Sequence, residues 1–145
     1  MYEKKLMEEF DKLNRKMKRY FDSFFIYTEL SSIQGLILQY LLVETECRDV
    51  FLKDLEEFLE VKGSSVTSLI NTLEKNGYLK RESLSTDARY KRLVLTDKTY
   101  AMKLIINNNV MNYMSSMFQG IPEGDLRIFE QVILKMTKNA EKKND

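Results

Sequence analysis

Residues 52 to 96 read LKDLEEFLEVKGSSVTSLINTLEKNGYLKRESLSTDARYKRLVLT. The stretch changes its period twice, and those changes decide the fold. Leu52, Leu55, Phe58 and Leu59 recur at three- and four-residue steps, which predicts a short helix over about 51–59 with these side chains inward. Glu60-Val61-Lys62-Gly63 interrupts it as a tight turn. Val66, Leu69, Ile70 and Leu73 then restore the helical period and predict a second helix over about 64–76. Gly77, directly after Asn76, suits the left-handed position that ends a helix. From Tyr78 the pattern shortens. Residues 78–83 and 90–96 are rich in Leu, Val and Tyr and predict the two strands of a hairpin. Between them, Leu84 to Arg89 is turn material and forms a long polar tip.

The outward faces of these elements carry the chemistry. Ser64, Ser65, Thr67, Ser68, Asn71 and Thr72 give the second helix a face of small hydrogen-bonding groups. Such a face suits the edges of bases in a major groove. The free N–H groups at the start of that helix suit a phosphate. The hairpin holds Lys80, Arg81, Arg89, Lys91 and Arg92 against Glu82 and Asp87, a local net charge of +3 in a chain whose total is +1. Positive charge is therefore concentrated beside the polar helix, which is the electrostatic footprint of nucleic-acid binding. Helix, turn, polar helix and basic hairpin together predict a winged helix-turn-helix.

Long helices flank this centre. Leu6, Phe10, Leu13, Met17, Tyr20, Phe24 and Tyr27 alternate steps of four and three, one apolar stripe on a first helix. Ser31 and Gln34 form a capping box that opens the next helix, with Ile33, Leu36, Ile37, Tyr40 and Leu41 predicted as its buried face. Thr96, followed by Asp97, is a plausible cap for a helix over about 97–118. Ala101, Leu104, Ile105, Met111, Met114 and Phe118 suggest the apolar side of that helix. Asn107-Asn108-Asn109 reads as a bend or a solvated stretch within it. Gly120 and Pro122 precede a last helix over about 123–140, with Leu126, Phe129, Val132, Ile133 and Met136 on one face. The tail from Glu141 to Asp145 is expected to fray.

Composition excludes several classes. With 145 residues, 43% of them hydrophobic and 31% charged, the chain suits an ordinary folded domain. There is no histidine, so the commonest general base and the commonest zinc ligand are both missing. No Gly-rich phosphate loop, nucleophile elbow or acid/base cluster is visible. The expectation is a protein that is not an enzyme and that has no cofactor or metal. The lone Cys47 and the absence of an apolar leader point to a reducing cytoplasm. No run reaches the roughly 18 apolar residues of a membrane span. Glu44, Glu46 and Asp49 oppose a thiolate at Cys47, so an inert thiol is expected there. The eight methionines read chiefly as gap-filling core.

The run from Val61 to Leu79 resembles the recognition helix of the MarR family of transcriptional regulators. Asp87-Ala88-Arg89 followed by Leu93-Val94-Leu95-Thr96-Asp97 resembles that family's wing signature, and the two occur in the family's order. The likeness extends over the whole chain, with six helices, one hairpin and two long terminal helices. It implies a dimer built from the first, fifth and last helices. It also implies that Arg89 enters the minor groove and that Asp87 holds it by an ion pair. Many members are repressors relieved by small ligands or by cysteine oxidation. Three positions depart from the pattern. Lys62 stands where a Ser or Thr cap is usual. Ser68 stands where Arg is frequent, with no Lys or Arg from Gly63 to Leu73. Thr99 stands where Gly is usual.

The resulting expectation is a mainly α (α+β) winged helix-turn-helix. Residues 31–96 form the DNA-binding lobe, and 1–30 with 97–145 form the dimerisation helices. DNA contacts are expected from Ser64, Ser65, Thr67, Ser68, Asn71, Thr72, Lys80, Arg81, Asp87, Arg89 and Lys91. The homodimer interface is expected from Leu6, Phe10, Leu13, Met17, Leu126, Phe129, Ile133 and Met136. The expected role is repression from an imperfect, A·T-rich palindrome on double-stranded DNA, with Asn71 pairing adenine. There is room for a small-molecule effector acting on the distance between lobes. Two other readings stay open: a helical dimer whose winged lobe binds a protein partner, and a redox-responsive regulator using Cys47.

Overall fold

A computed structural model describes residues 1–26 and 28–142. Tyr27, the last member of the first apolar stripe, lies outside the described residues, as do 143–145 of the tail. Eight elements follow in order: α1 Tyr2–Phe24, α2 Ser32–Glu44, α3 Leu52–Leu59, α4 Gly63–Lys75, β1 Leu79–Ser83, β2 Lys91–Leu95, α5 Asp97–Phe118 and α6 Glu123–Glu141. This is the winged helix-turn-helix expected from residues 52–96. No helix among the described residues is long and apolar enough to cross a membrane.

The chain divides into two units, residues 1–107 and 108–145. The first holds the core. Leu30, Ile37, Leu38, Leu41, Leu42, Val50, Leu55, Val66, Ile70, Leu73, Tyr78, Leu79, Leu93 and Leu95 form one buried cluster. In α4 the inward set is Val66, Ile70 and Leu73, on the period the sequence predicts, with Leu69 half-buried beside them. β1 and β2 pair antiparallel with Leu79 opposite Leu95 and Arg81 opposite Leu93, so alternate leucines face the helices. A further bond from the Leu93 N–H to the Val50 carbonyl, 2.8 Å, ties β2 to the chain entering α3.

The local signals act as expected. The Ser31 hydroxyl accepts from the Gln34 N–H and the Gln34 side chain accepts from the Ser31 N–H, closing both halves of the capping box. Gly77 has φ +80, the left-handed cap after Asn76. Glu60 also adopts φ 52, so the turn between α3 and α4 is made by a residue with a Cβ.

Four readings of burial need correction. In α2, Ile33 and Leu36 are exposed, and Gln34, Gly35, Ile37, Leu38, Leu41 and Leu42 are buried. That helix is apolar nearly all round, so its period does not choose a face. The choice is made at Gly35, where the Phe25 ring lies so close that a Cβ would stand 2.2 Å from Cζ. Phe58 of α3 is exposed rather than inward, its ring stacked on Tyr40 at 4.2 Å. In α5, Ala101, Leu104, Ile105, Met111 and Met114 are solvent-facing in the single chain, and Thr99 is the fully buried residue among its described side chains. Asn108 and Asn109 are exposed within an unbroken helix, the solvated alternative. Finally, α1 contributes no buried residue, so Leu6, Phe10, Leu13 and Met17 are not core of the single chain. The second unit likewise buries no residue of α6.

Candidate nucleic-acid interface

The polar face of α4 stands clear of the core because Val66, Ile70 and Leu73 take the opposite side. Ser64, Ser65, Ser68, Asn71 and Thr72 are exposed and Thr67 is half-buried. Lys62, the residue before the helix, makes no side-chain cap; the Ser65 N–H donates to the Lys62 carbonyl at 3.0 Å, and the Gly63 and Ser64 N–H groups keep their donor capacity toward an anion. The three serine hydroxyls have no partner among the described residues. Thr72 instead donates to the Ser68 carbonyl at 3.2 Å, and Asn71 accepts from Arg81.

The wing tip is organised by a single pair. Asp87 Oδ1 accepts from the Arg89 N–H at 3.0 Å and from Nε at 3.1 Å, while Oδ2 accepts from Nη2 at 2.9 Å. The Arg89 side chain remains 87% exposed. The guanidinium, and then the backbone N–H, hold the Asp87 carboxyl below its ordinary range, and the carboxylate in turn holds Arg89 protonated. A three-bond carboxylate brace fixes an arginine that otherwise projects into solvent.

The other wing cations are placed differently from the sequence count. Arg81 bonds Glu74 of α4 through its backbone N–H, 2.9 Å, and Nη1, 3.1 Å, and bonds Asn71 through Nη2. Arg92 is shared between Glu82, 3.1 Å, and Asp49, 3.3 Å. Lys80 lies 3.4 Å from Glu82. Four of the five cations therefore meet four carboxylates, because Glu74 and Asp49 come from outside the hairpin. Their distance along the chain hides them from a local charge count. Lys91, with Lys62 and Lys75 at the two ends of α4, makes no ion pair among the described residues.

A second cluster, missed in the sequence, fastens α4 and the wing to the start of α5. Tyr78 donates its hydroxyl to Glu29 at 3.0 Å. Lys98 donates to Glu29 at 3.1 Å and to the Asn76 carbonyl at 2.8 Å, with its ammonium 4.1 Å over the Tyr78 ring. Buried Thr99 donates to the Tyr78 carbonyl at 2.6 Å. The Thr96 hydroxyl donates to the Gly77 carbonyl at 2.5 Å, and the Thr99 N–H donates to the Thr96 carbonyl at 3.0 Å. Cys47 is an exposed free thiol outside both clusters.

Comparison with known proteins accords with this geometry. The sequence profile of the MarR family matches residues 28–89. The transcription regulator MarR from Oenococcus oeni PSU-1 is 26% identical over 92% of this chain and 98% of its own, with a TM-score of 0.78. The S. aureus MepR–DNA complex shares the fold with a TM-score of 0.82 at 18% identity, over 90% and 93% of the two chains. A MarR family regulator from Listeria monocytogenes, solved with 26mer DNA, matches with a TM-score of 0.78 at 17% identity, over 92% and 87%.

Proposed function

We propose that this chain, which belongs to the MarR family and is a DNA-binding transcriptional regulator, represses transcription by binding a palindromic operator as a homodimer. In this reading residues 31–96 are the DNA-binding lobe, and 1–30 with 97–145 supply the dimerisation helices. α4 enters the major groove with Ser64, Ser65, Thr67, Ser68 and Thr72, and Arg89 enters the adjacent minor groove. Lys91 and Lys80 meet phosphates. The observation that carries the proposal is the wing tip, where a highly exposed arginine is held rigid by Asp87 beside an uncapped polar helix. A cation braced in that way loses little freedom when it docks.

The dimer is supported by faces that a single chain leaves uncovered. Leu6 and Leu13 of α1, and Phe129, Ile133 and Met136 of α6, are exposed. Two-fold symmetry would set the two reading helices about 10 base pairs apart. Release by a small molecule acting between the lobes belongs to the proposal on the family's behaviour alone. Selection of bound sequences from random DNA, with footprinting and solution mass on the same protein, tests the reading. Two half-sites one turn apart and a dimeric mass are expected. A monomer at micromolar concentration, or binding without sequence preference, would overturn it. Salt-independent capture of a protein partner without any DNA shift would favour the partner-binding alternative.

A further inference from the structure

The link between Arg81 and Asn71 spans two elements that approach DNA separately, and its chemistry runs one way. A guanidinium has donors only, so the group of Asn71 that faces it is Oδ1 and not Nδ2. The bond is short, 2.7 Å. Arg81 is itself anchored at both ends. Its backbone N–H and Nη1 occupy the two oxygens of Glu74, and its side chain is only 25% exposed. Swinging the side chain out to a phosphate would break its bonds to Glu74 and Asn71 together, leaving Glu74 only the backbone N–H. Arg81 is thus built into the corner between α4 and β1, not poised above it.

Resting on the DNA-reading role of α4 proposed above, we infer that Arg81 is a positioning residue that turns Asn71 into a hydrogen-bond donor toward the major groove, directing it to a base edge with two acceptors. Oδ1 is held by a cation that draws electron density from the amide, so it is a weakened acceptor for anything else. Nδ2 makes no hydrogen bond among the described residues, and Asn71 lies on the exposed face of α4. Adenine recognition by asparagine needs Oδ1 to accept from the N6 amine while Nδ2 donates to N7. With one Oδ1 lone pair already committed to Arg81, adenine would ask that oxygen to accept a second hydrogen bond. Guanine offers N7 and O6 as neighbouring acceptors and asks only for donors. The inference replaces the sequence expectation of an adenine contact at Asn71 with a guanine contact at one position of each half-site.

The test uses the full-length protein and the operator that the wild type selects. Affinity is measured for every single base-pair change across one half-site, for the wild type, Asn71→Ala, Arg81→Ala, Arg81→Lys and Asn71→Ala/Arg81→Ala. The wild type is expected to prefer guanine at one position by roughly five- to tenfold, a single-donor share of a good base contact. Asn71→Ala and Arg81→Ala should both flatten that position, and the double variant should flatten it no further than either single one. Arg81→Lys keeps the charge in the corner but lacks the fork that reaches Glu74 and Asn71 together. It should therefore lose the same preference with the fold intact, which guards against a merely unfolded alanine variant. The slope of log affinity against log salt should be unchanged in Arg81→Lys and Arg81→Ala, since no phosphate contact is lost. A slope reduced by about 0.9 per site with base preferences intact would overturn the inference, because Arg81 would then be a phosphate ligand. So would an adenine preference at the position read by Asn71, or full discrimination by Arg81→Lys. Failure of the wild type to select any sequence would instead bring down the functional reading itself, and this inference with it.

Discussion

Asp87→Ala is expected to weaken operator binding, although it removes a negative charge from a surface proposed to face phosphates. Two effects oppose each other. The first is relief of repulsion. A carboxylate roughly 10 Å from a phosphate in water at about 0.1 M salt is screened until the repulsion is worth a factor of about 1.3 in affinity. The second is the loss of the brace. Asp87 makes three hydrogen bonds to Arg89, and without them an 87% exposed side chain regains rotamers that it must give up on docking. Ordering one such side chain costs a factor of roughly 2 to 10, so two wings in a dimer cost roughly 4 to 100. The brace wins by a margin that a binding assay resolves. Arg89→Ala supplies the calibration. Losing one ionic contact per wing should reduce the salt slope by about 1.8 for the dimer. A fourfold rise in salt would then weaken the wild type about 12-fold more than this variant. Asp87→Ala should keep the wild-type slope, since its arginine still reaches the groove. Fluorescence anisotropy on one operator at several salt concentrations measures both quantities, with a thermal melt to show that neither variant unfolds. Tighter binding by Asp87→Ala at unchanged stability would refute the reasoning.

Thr99 should resist replacement by the glycine usual at its place in the family pattern. Thr99→Val loses one hydrogen bond to a carbonyl that keeps the Thr96 N–H and should cost about 1 kcal/mol, whereas Thr99→Gly also loses a buried methyl and should cost about 2–3 kcal/mol; a urea titration at fixed protein concentration in which Thr99→Gly matches the wild type would defeat this. Gly35→Ala sets about 1–3 kcal/mol of overpacking against Phe25 against about 1 kcal/mol of helix propensity, for a net loss of about 1 kcal/mol, and the sign should reverse in a Phe25→Ala background. Lys98, and then Tyr78, hold the Glu29 carboxyl below its ordinary value of 4.5. The stability Glu29 contributes is therefore complete above that value and lost as pH falls through the lower folded-state value, so Glu29→Gln should flatten the acid limb of the stability curve, and an unchanged limb would remove Glu29 from the account.

What was legible in the sequence was what is settled within a few residues. The Ser31–Gln34 box, the glycine after Asn76, and Asp87 two places before Arg89 each complete their chemistry locally, and each stands in the structure as read. The buried face of α2 was not legible, because Ile33 and Leu36 are as apolar as Ile37 and Leu38, and only the Phe25 ring against Gly35 distinguishes them. The charge of the wing was overstated for a related reason. Glu74 and Asp49 lie 7 and 43 residues from the arginines they meet, so a window on the hairpin counts the cations and misses their partners. The burial of Thr99 is not legible in the sequence, because it depends on Tyr78, which the chain reaches 21 residues earlier.

Every fully buried apolar side chain among the described residues lies between Leu30 and Leu95. Natural variation therefore meets two separate regimes along this chain. Within those limits a change must satisfy neighbours from several elements at once, and most changes will be removed by selection for folding. Outside them, a new residue on α1 or α6 answers to whatever covers that surface and leaves the lobe's interior untouched. On the proposed function, lineages can thus diversify in pairing partner or in the signal they answer while inheriting the same reading head.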